Sequence, residues 1–451
     1  MDASVLEKQV IRDIAPTPEQ ARRILETSTL LLETVTATAK QMGISVEPIL
    51  VGSVAKGTFL RDPDIDLFVM FPAQTTREEL EKQGLALGMT ILKGEKKYAE
   101  HPYVHGEFHG FEAEIVPCFR ITDMSQKMSA VDRTPFHTHF VADNLRPQQH
   151  NEVRLLKRYL KGIGAYGAEE AVRGFSGYLA ELLVIRYGSF HAVLDAAARW
   201  PEFIRLWIDG HGSELKGRGE PMVFIDAVDP TRNVASALST EKYTVFIHGC
   251  QKYVASPSRT FFFPNPPGPL PLSELKAALK GRGTALLGIR LKTPEVIADI
   301  YYSQLRKFER GIRGLCEEHG FHVLHSAFHE VGKETLFLFE FEVFVLPAVR
   351  SHRGPPAGNP RENEFSAKWH SSPERRSALH IIDGVWAVDV EREFKDPPAL
   401  IKGCIQSLSL GKHLNEEVKK GYRILQGPDL FSKEHALGLT LFFDKRYPWE
   451  K

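Results

Sequence analysis

The chain has 451 residues, 43% of them hydrophobic, and its 57 basic and 57 acidic side chains cancel to zero net charge. That length exceeds one domain and allows several cores. The neutral balance excludes a surface that is basic throughout and attracts nucleic acid everywhere, but it leaves room for a local basic face. No apolar run reaches the roughly 18 residues of a transmembrane helix, and MDASVLEKQVIRD lacks the basic start and apolar block of a secretory signal. Cys118, Cys250, Cys316 and Cys404 are scattered without a CxxC pair, which speaks against a zinc site and for a reducing, cytoplasmic location.

In chain order, Thr17-Pro18-Glu19-Gln20 reads as a capping box with proline in the first turn, and predicts a helix to about Met42 that stops at Gly43. A strand over 46–51, despite Pro48, leads into Gly52-Ser53, and a second apolar run opens at Asp64-Ile65-Asp66. On a strand over 65–71 the side chains alternate, so Asp64 and Asp66 share one face while Ile65, Leu67 and Val69 point into a core. Two neighbouring carboxylates repel each other, and a bound divalent cation keeps both ionised. The Gly-Ser turn can offer backbone N–H groups and a hydroxyl to phosphate. Together the two halves point to metal-assisted phosphoryl chemistry on a nucleotide. A helix follows over 76–87, with Glu78 and Glu79 in its first turn. Residues 103–108 and 111–117 flank His109-Gly110 as a hairpin. Phe111, Ala113 and Ile115 share its buried face, and Glu112 and Glu114 the other. A third carboxylate beside the aspartates is what a two-metal site needs; taken alone, the Glu pair reads as solvated strand positions.

Two helices over 153–161 and 169–187 surround the glycine-rich 162–167, and a small helical domain extends to about Val254. PNPPGPLP at 264–271 is the clearest linker. Beyond it come a short helix capped by Ser273, a strand over 284–291 and a long helix over 294–319. A hairpin of 321–331 with 334–346, a strand over 385–391 and a helix over 398–408 complete the order. This β-α-β…β-α order suggests a ferredoxin-like sheet, a common RNA-facing layout. It is interrupted by a Gly/Pro-rich stretch, 351–360, and by a basic-aromatic segment from Lys368-Trp369-His370 to Arg375-Arg376. No internal repeat or low-complexity tract is present.

The joint pattern GS-x-A-K-G-T, then D-x-D, then an apolar strand resembles the nucleotidyltransferase fold of the polymerase-β-like superfamily. The resemblance narrows when GSVAKGTFLRDPDID is taken with YAEHPYV (98–104), EIVPC (114–118), DRTPFHTHFV (132–141), LLKRYLKGIGAYG (155–167), GFSGYLAELL (174–183) and DPTRNVA (229–235). Over essentially its whole length the chain resembles the archaeal-type, class I CCA-adding enzymes, which are tRNA nucleotidyltransferases. The resemblance implies an α+β protein with a catalytic head (1–145), a helical neck (146–256), a ferredoxin-like body (257–320 and 380–451) and an inserted tail (321–379). It implies two magnesium ions on Asp64, Asp66 and Glu114. It also implies nucleotide contacts from Gly52, Ser53, Lys56, His137, Lys157 and Tyr166, and a base-reading arginine at Arg232. The third carboxylate is usually aspartate in the family, and Glu114 departs from that. The implied substrates are CTP, ATP and the acceptor stem and T arm of tRNA, without a template or a membrane and with room for a homodimer. Part of the tRNA contact is expected around Trp369. Two other readings share parts of the pattern: an ATP-specific poly(A) polymerase or oligoadenylate synthetase, and a catalytically silent RNA-binding relative.

Overall fold

The computed structural model describes residues 3–98 and 102–451; Ala99, Glu100 and His101 of the YAEHPYV string lie outside the described residues. The chain divides into two compact units, 1–266 with 446–451 and 267–445. The first boundary falls inside the proline-rich linker.

In the first unit, α1 (Ala3–Ile14) and α2 (Pro18–Gln41) precede β1 (Glu47–Leu50) and the single-turn α3 (Gly52–Ala55). Then follow β2 (Ile65–Phe71), α4 (Arg77–Ile91), β3 (Lys93–Tyr98), β4 (Pro102–Phe108) and β5 (Phe111–Phe119). The capping box is present: Thr17 Oγ1 accepts from Gln20 N–H, and Gln20 accepts from Thr17 N–H. The five strands take the order β1-β2-β5-β4-β3. Pro48 is tolerated because β1 lies at an edge, where a missing N–H breaks no ladder. Only β2 and β5 run parallel, with Asp66 opposite Glu114 and Leu67 opposite Ile115. The odd residues of β2 bury Ile65, Leu67, Val69 and Phe71 against Leu31 and Val35 of α2 and Leu80 and Leu87 of α4. Each such side chain contributes about 1.5–3 kcal/mol when fully buried. The opposite face carries Asp66 and Glu114 beside a small apolar patch of Val51, Phe68, Val116 and Cys118. The period of two therefore puts the carboxylates on the face that the helices leave open.

The rest of this unit is mainly helical: α5 (Thr134–Asn144), α6 (His150–Gly162), α7 (Gly177–Tyr187), α8 (Phe190–Ala197), the short pair β6 (Ile204–Leu206) and β7 (Met222–Phe224), and α9 (Thr240–Ala255). Their shared core centres on Tyr159, which lies edge-on to Phe190, Phe246, Tyr253 and Phe262 at 5.7–6.3 Å. The span 169–187 expected as one helix is helical only over α7. Ser176 caps α7 by accepting from Leu179 N–H. Ahead of it, 165–175 folds back on itself through Phe175 N–H to Ala165 O and Gly174 N–H to Gly167 O. A side chain at Gly174 would meet Ala165 O at 2.1 Å, so the glycine permits this closure.

The second unit begins with α10 (Leu272–Arg282), whose N-cap is Pro271; Ser273 lies inside the helix instead of capping it. Next come β8 (Ala285–Lys292), α11 (Ala298–Glu318), β9 (Val323–Val331), β10 (Glu334–Phe341), β11 (Val349–Pro356), α12 (Glu362–His370), β12 (His380–Ile382) and β13 (Val385–Glu391). The unit closes with α13 (Pro397–Cys404), α14 (Lys412–Lys420), β14 (Arg423–Leu425), α15 (Gly427–Leu430) and α16 (Ala436–Phe443). The antiparallel order β14-β8-β10-β9 is the ferredoxin-like arrangement. Its membership differs from the expected one. The hairpin β9–β10, which falls within the span 321–379 assigned to the tail, is half of this sheet. The strand over 385–391, assigned to the body, instead pairs with β11 and β12 in a separate three-stranded sheet. The fourth body strand is the three-residue β14, too short to leave a periodic signal.

Trp369 is only 6% exposed and packs with Val388 and Val390, with the Lys368 ammonium 5.2 Å from its ring centre. Trp369 is itself a core residue of the small sheet, so the tRNA contact expected around it falls to its exposed basic neighbours. No described helix is long and apolar enough to cross a membrane.

Candidate active site

Three clusters meet in the first unit, and each brings together expected residues with partners that the sequence did not reveal. The first is the carboxylate group. Asp64 is exposed just ahead of β2, while Asp66 and Glu114 stand half-buried on adjacent strands. Burial, then Glu114 and then Asp64 push the Asp66 carboxyl up to about 7, against the opposing pull of Lys56 and Lys157. Burial also raises Glu114, which His105 partly offsets. The carboxylates thus act on one another electrostatically. They do not converge on a point: among the described residues no three His, Cys, Asp or Glu side chains form a metal cage. Their hard oxygen donors suit magnesium.

Gly52 holds a left-handed φ of +69°, and a Cβ there would lie 1.8 Å from Asp66 Oδ2. Only glycine lets the backbone pass this close to the carboxylate. Ser53 follows in α3, where its carbonyl accepts from Thr58 N–H at 3.0 Å. Beside the carboxylates a cavity of about 310 Å³ is lined by Gly52, Asp66, Phe68, Tyr103, Glu114 and Val116, among others. A larger one, about 1130 Å³, lies in the second unit around Arg290, Lys402 and Arg423. The smaller cavity is the candidate reaction centre, because it adjoins the carboxylate whose titration is strongly raised.

Position favours Glu114 over Glu112. Glu114 lies opposite Asp66 in the β2–β5 register, whereas Glu112 is 58% exposed and bonded to His105 Nε2 at 3.0 Å. His105 Nδ1 stands 3.4 Å from Glu114 Oε1. Glu114→Gln should therefore lower turnover by about a hundredfold or more, since it removes the carboxylate that stands beside Asp66 as a candidate metal ligand. Glu112→Gln should stay within about threefold, as an exposed pair contributes little. Single-turnover rates with excess enzyme test this, and a larger loss from Glu112→Gln would reverse the assignment.

The second cluster is cationic. Lys56 Nζ and Lys157 Nζ bond the two oxygens of Glu181 at 2.6 and 2.9 Å, and Thr58 Oγ1 accepts from Lys157 at 2.9 Å and donates to Glu181 at 2.7 Å. Lys157, Thr58 and Glu181 are all buried. Burial alone would raise the Glu181 carboxyl, but Lys157 and Lys56 hold it at about 2. One carboxylate between two ammonium groups leaves a net positive charge near Asp66. Tyr166 lies close by: burial, followed by Glu181, Glu169 and Asp66, raises its phenol, and the Lys161 ammonium sits 5.2 Å from its ring centre.

The third cluster is built on Asp226. Its Oδ2 meets His137 Nε2 at 2.9 Å and Arg232 Nη1 at 2.7 Å, and its Oδ1 accepts from Tyr178 Oη at 3.2 Å and Val228 N–H at 3.0 Å. Burial would raise this carboxyl, but those partners hold it well below the usual range. Burial, the largest influence, lowers the His137 imidazole, with Arg232 and Lys56 acting the same way against the opposing pull of Asp226. His137 stacks on Tyr178 with ring centres 4.0 Å apart, and Lys56 Nζ lies 5.9 Å from the same ring, so Tyr178 joins the second and third clusters. His139, the other histidine of that string, is exposed.

Glu181, Tyr178 and Asp226 were not foreseen. A lone glutamate within the apolar GYLAELL is the one signal that could have marked Glu181, because a charge on a buried helix face needs a partner.

The fold and these clusters define a nucleotidyltransferase. Residues 32–137 match the model for the nucleotidyltransferase domain, 151–263 that for the second domain of tRNA nucleotidyltransferase, and 282–427 that for the C-terminal domain of the CCA-adding enzyme. The CCA-adding enzyme of Methanosarcina barkeri is 37% identical over 92% of both chains. That of Methanothermobacter thermautotrophicus is 36% identical over 98% of both, and that of Haloarcula marismortui 36% identical over 96% of both. The chain belongs to the CCA-adding enzyme family.

Proposed function

We propose that this protein builds and repairs the 3′-terminal CCA of tRNA, adding two cytidylates and then an adenylate from CTP and ATP without a template. The observation that carries this is the pairing of Asp66 with Glu114 across parallel strands, next to two lysines, in a chain related to CCA-adding enzymes from end to end. Asp64, Asp66 and Glu114 would hold two magnesium ions, which when bound would polarise the primer hydroxyl and neutralise triphosphate charge. Lys56 and Lys157, with Tyr166 and Ser53, take the triphosphate, and Glu181 holds both ammonium groups in place. His137 and Arg232 face the sugar and base. Cytosine and adenine both present an unprotonated ring nitrogen beside an amine, whereas uracil and guanine present an N–H beside a carbonyl. A donor-only guanidinium bonds the ring nitrogen of the first pattern, whose amine needs a separate acceptor such as a tRNA phosphate; against the second it can donate to the carbonyl, but the ring N–H meets no acceptor in register. The ferredoxin-like sheet and the basic groups Lys368, Arg375 and Arg376 of the small sheet support tRNA binding through the backbone. Four unpaired cysteines fit a reducing cytoplasm.

The test is a tRNA truncated at the discriminator base. CTP alone should add two residues, ATP alone none, and both together three, with no extension once divalent ions are removed. A long homopolymer from ATP alone would mean an ATP-specific polymerase. Tight tRNA binding without extension would mean a silent relative.

A further inference from the structure

Asp226 has no part in the expected site, yet two of the expected residues end on it. Its carboxylate is fully buried, and its four acceptor positions are all taken, by His137, Arg232, Tyr178 and Val228. It therefore has no lone pair left for the amine of an incoming base and cannot read that base itself. Arg232, by contrast, gives Asp226 only Nη1 of its fork, and its side chain remains 29% exposed. Two further contacts hold the short loop between them: Asp226 N–H donates to Arg232 O at 3.1 Å, and Arg232 N–H to Asp229 O at 2.9 Å. Asp229 is in turn anchored by Lys127 Nζ at 2.8 Å and by Thr231 Oγ1 at 2.6 Å.

We propose that Asp226 is the positioning residue of base selection: it fixes one end of the Arg232 guanidinium and the Nε2 side of His137, so that the remaining N–H groups of Arg232 meet the base in a single orientation. The inference rests on Arg232 being the base reader. A planar fork discriminates only if its angle is fixed, because a rotating guanidinium finds the carbonyl of uracil as readily as the ring nitrogen of cytosine. A carboxylate that takes Arg232 Nη1 and His137 Nε2 on one oxygen, and is itself locked by a phenol and a backbone N–H on the other, restricts that angle, and its burial keeps water from competing for the bond.

The test is a cycle of Asp226→Asn and Arg232→Ala, reading the ratio of kcat/KM for CTP to that for UTP, and for ATP to GTP. Asp226→Asn should narrow both ratios by roughly ten- to a hundredfold, the scale of one buried contact, while inhibition by pyrophosphate, which carries no base, stays within about twofold. In the Arg232→Ala background the same substitution should change the ratios by less than about twofold, because there is nothing left to position. An equal loss in both backgrounds, or unchanged ratios in the first, overturns the proposal. If Arg232→Ala itself keeps full discrimination, the base-reading assignment falls and the proposal with it. If Arg232→Ala narrows the ratios and Asp226→Asn does not, only the proposal falls. Arg232→Lys, at a partly exposed position, covers the case in which Asp226→Asn does not fold. An ammonium keeps the charge but cannot bond Asp226 and a base edge in fixed directions, so it should lose discrimination as alanine does; retention would overturn the proposal.

Discussion

Asp66→Asn should reduce incorporation of CTP and ATP alike by about a thousandfold or more, equivalent to about 4 kcal/mol of lost transition-state stabilisation. The substitution is isosteric, so the strand and its register with Glu114 are kept and only the charge goes. Its effect on stability should have the opposite sign. The Asp66 carboxyl is held near 7 by burial and by the charges of Glu114 and Asp64, far above the 3.8 of an unfolded aspartate. A carboxyl with a raised folded pKa favours folding at low pH, and that contribution is lost as pH rises from about 4 through about 7. At pH 8 without divalent ions the ionised group therefore opposes folding, and asparagine should leave Tm unchanged or raise it. Activity assays with each nucleotide, together with melts in chelator, test both halves. A fall in Tm that accounts for the lost activity would make Asp66 a structural residue, and survival of either CTP or ATP incorporation would remove it from the reaction.

Glu181→Gln should give the largest loss of stability. It leaves Lys157, buried, and Lys56, with 8% of its side chain exposed, without their common counter-charge. Breaking a buried pair by removing one partner costs about 3–5 kcal/mol, which lowers Tm by roughly 10 °C in a unit of this size. The pH dependence has a definite sign. The carboxyl titrates near 2 in the folded protein, below the 4.5 of an unfolded glutamate. Its stabilisation is therefore complete above about pH 4.5 and is lost as pH falls towards 2, so the difference between wild type and variant should shrink over that interval. In the same variant the apparent constants for CTP and ATP should rise together, because both triphosphates meet the same displaced lysines. A loss confined to one nucleotide would place Lys56 and Lys157 at the base instead. A variant as stable as wild type at pH 7 would mean that the two ammonium groups find water or another partner.

The resemblance recovered the family from strings that are short and ordered along the chain, and it named the candidate site residues. Physical reading of the residues alone went less far, and it failed in a patterned way. The strand with Asp66 and the hairpin with Glu114 were legible because alternation on a half-buried strand is a local property of consecutive residues. The helix over 18–41 was legible because both its cap and its stop lie within a few residues of its ends. The helix expected over 169–187 failed because a serine cap and a glycine with no room for a side chain act from inside the segment. The body sheet was right in type and wrong in membership. A hairpin shows itself locally, but whether it joins β8 or a neighbouring sheet depends on partners over 40 residues away.

What the sequence determined by itself is the set of candidate reactive groups. Asp64, Asp66, Glu114, Lys56, Lys157, His137 and Arg232 are identifiable by type and spacing against a known family. What only the tertiary structure decided is how those groups are held. Glu181 lies 125 residues from Lys56 and 24 from Lys157, and Asp226 lies 89 residues from His137. No local pattern links such positions, since a buried carboxylate finds its cations only when separate segments pack against one another. Burial then makes each pairing obligatory, because an unpartnered charge is costly out of water. The candidate reactive residues were therefore legible in one dimension, and the buried carboxylates that bond them only in three.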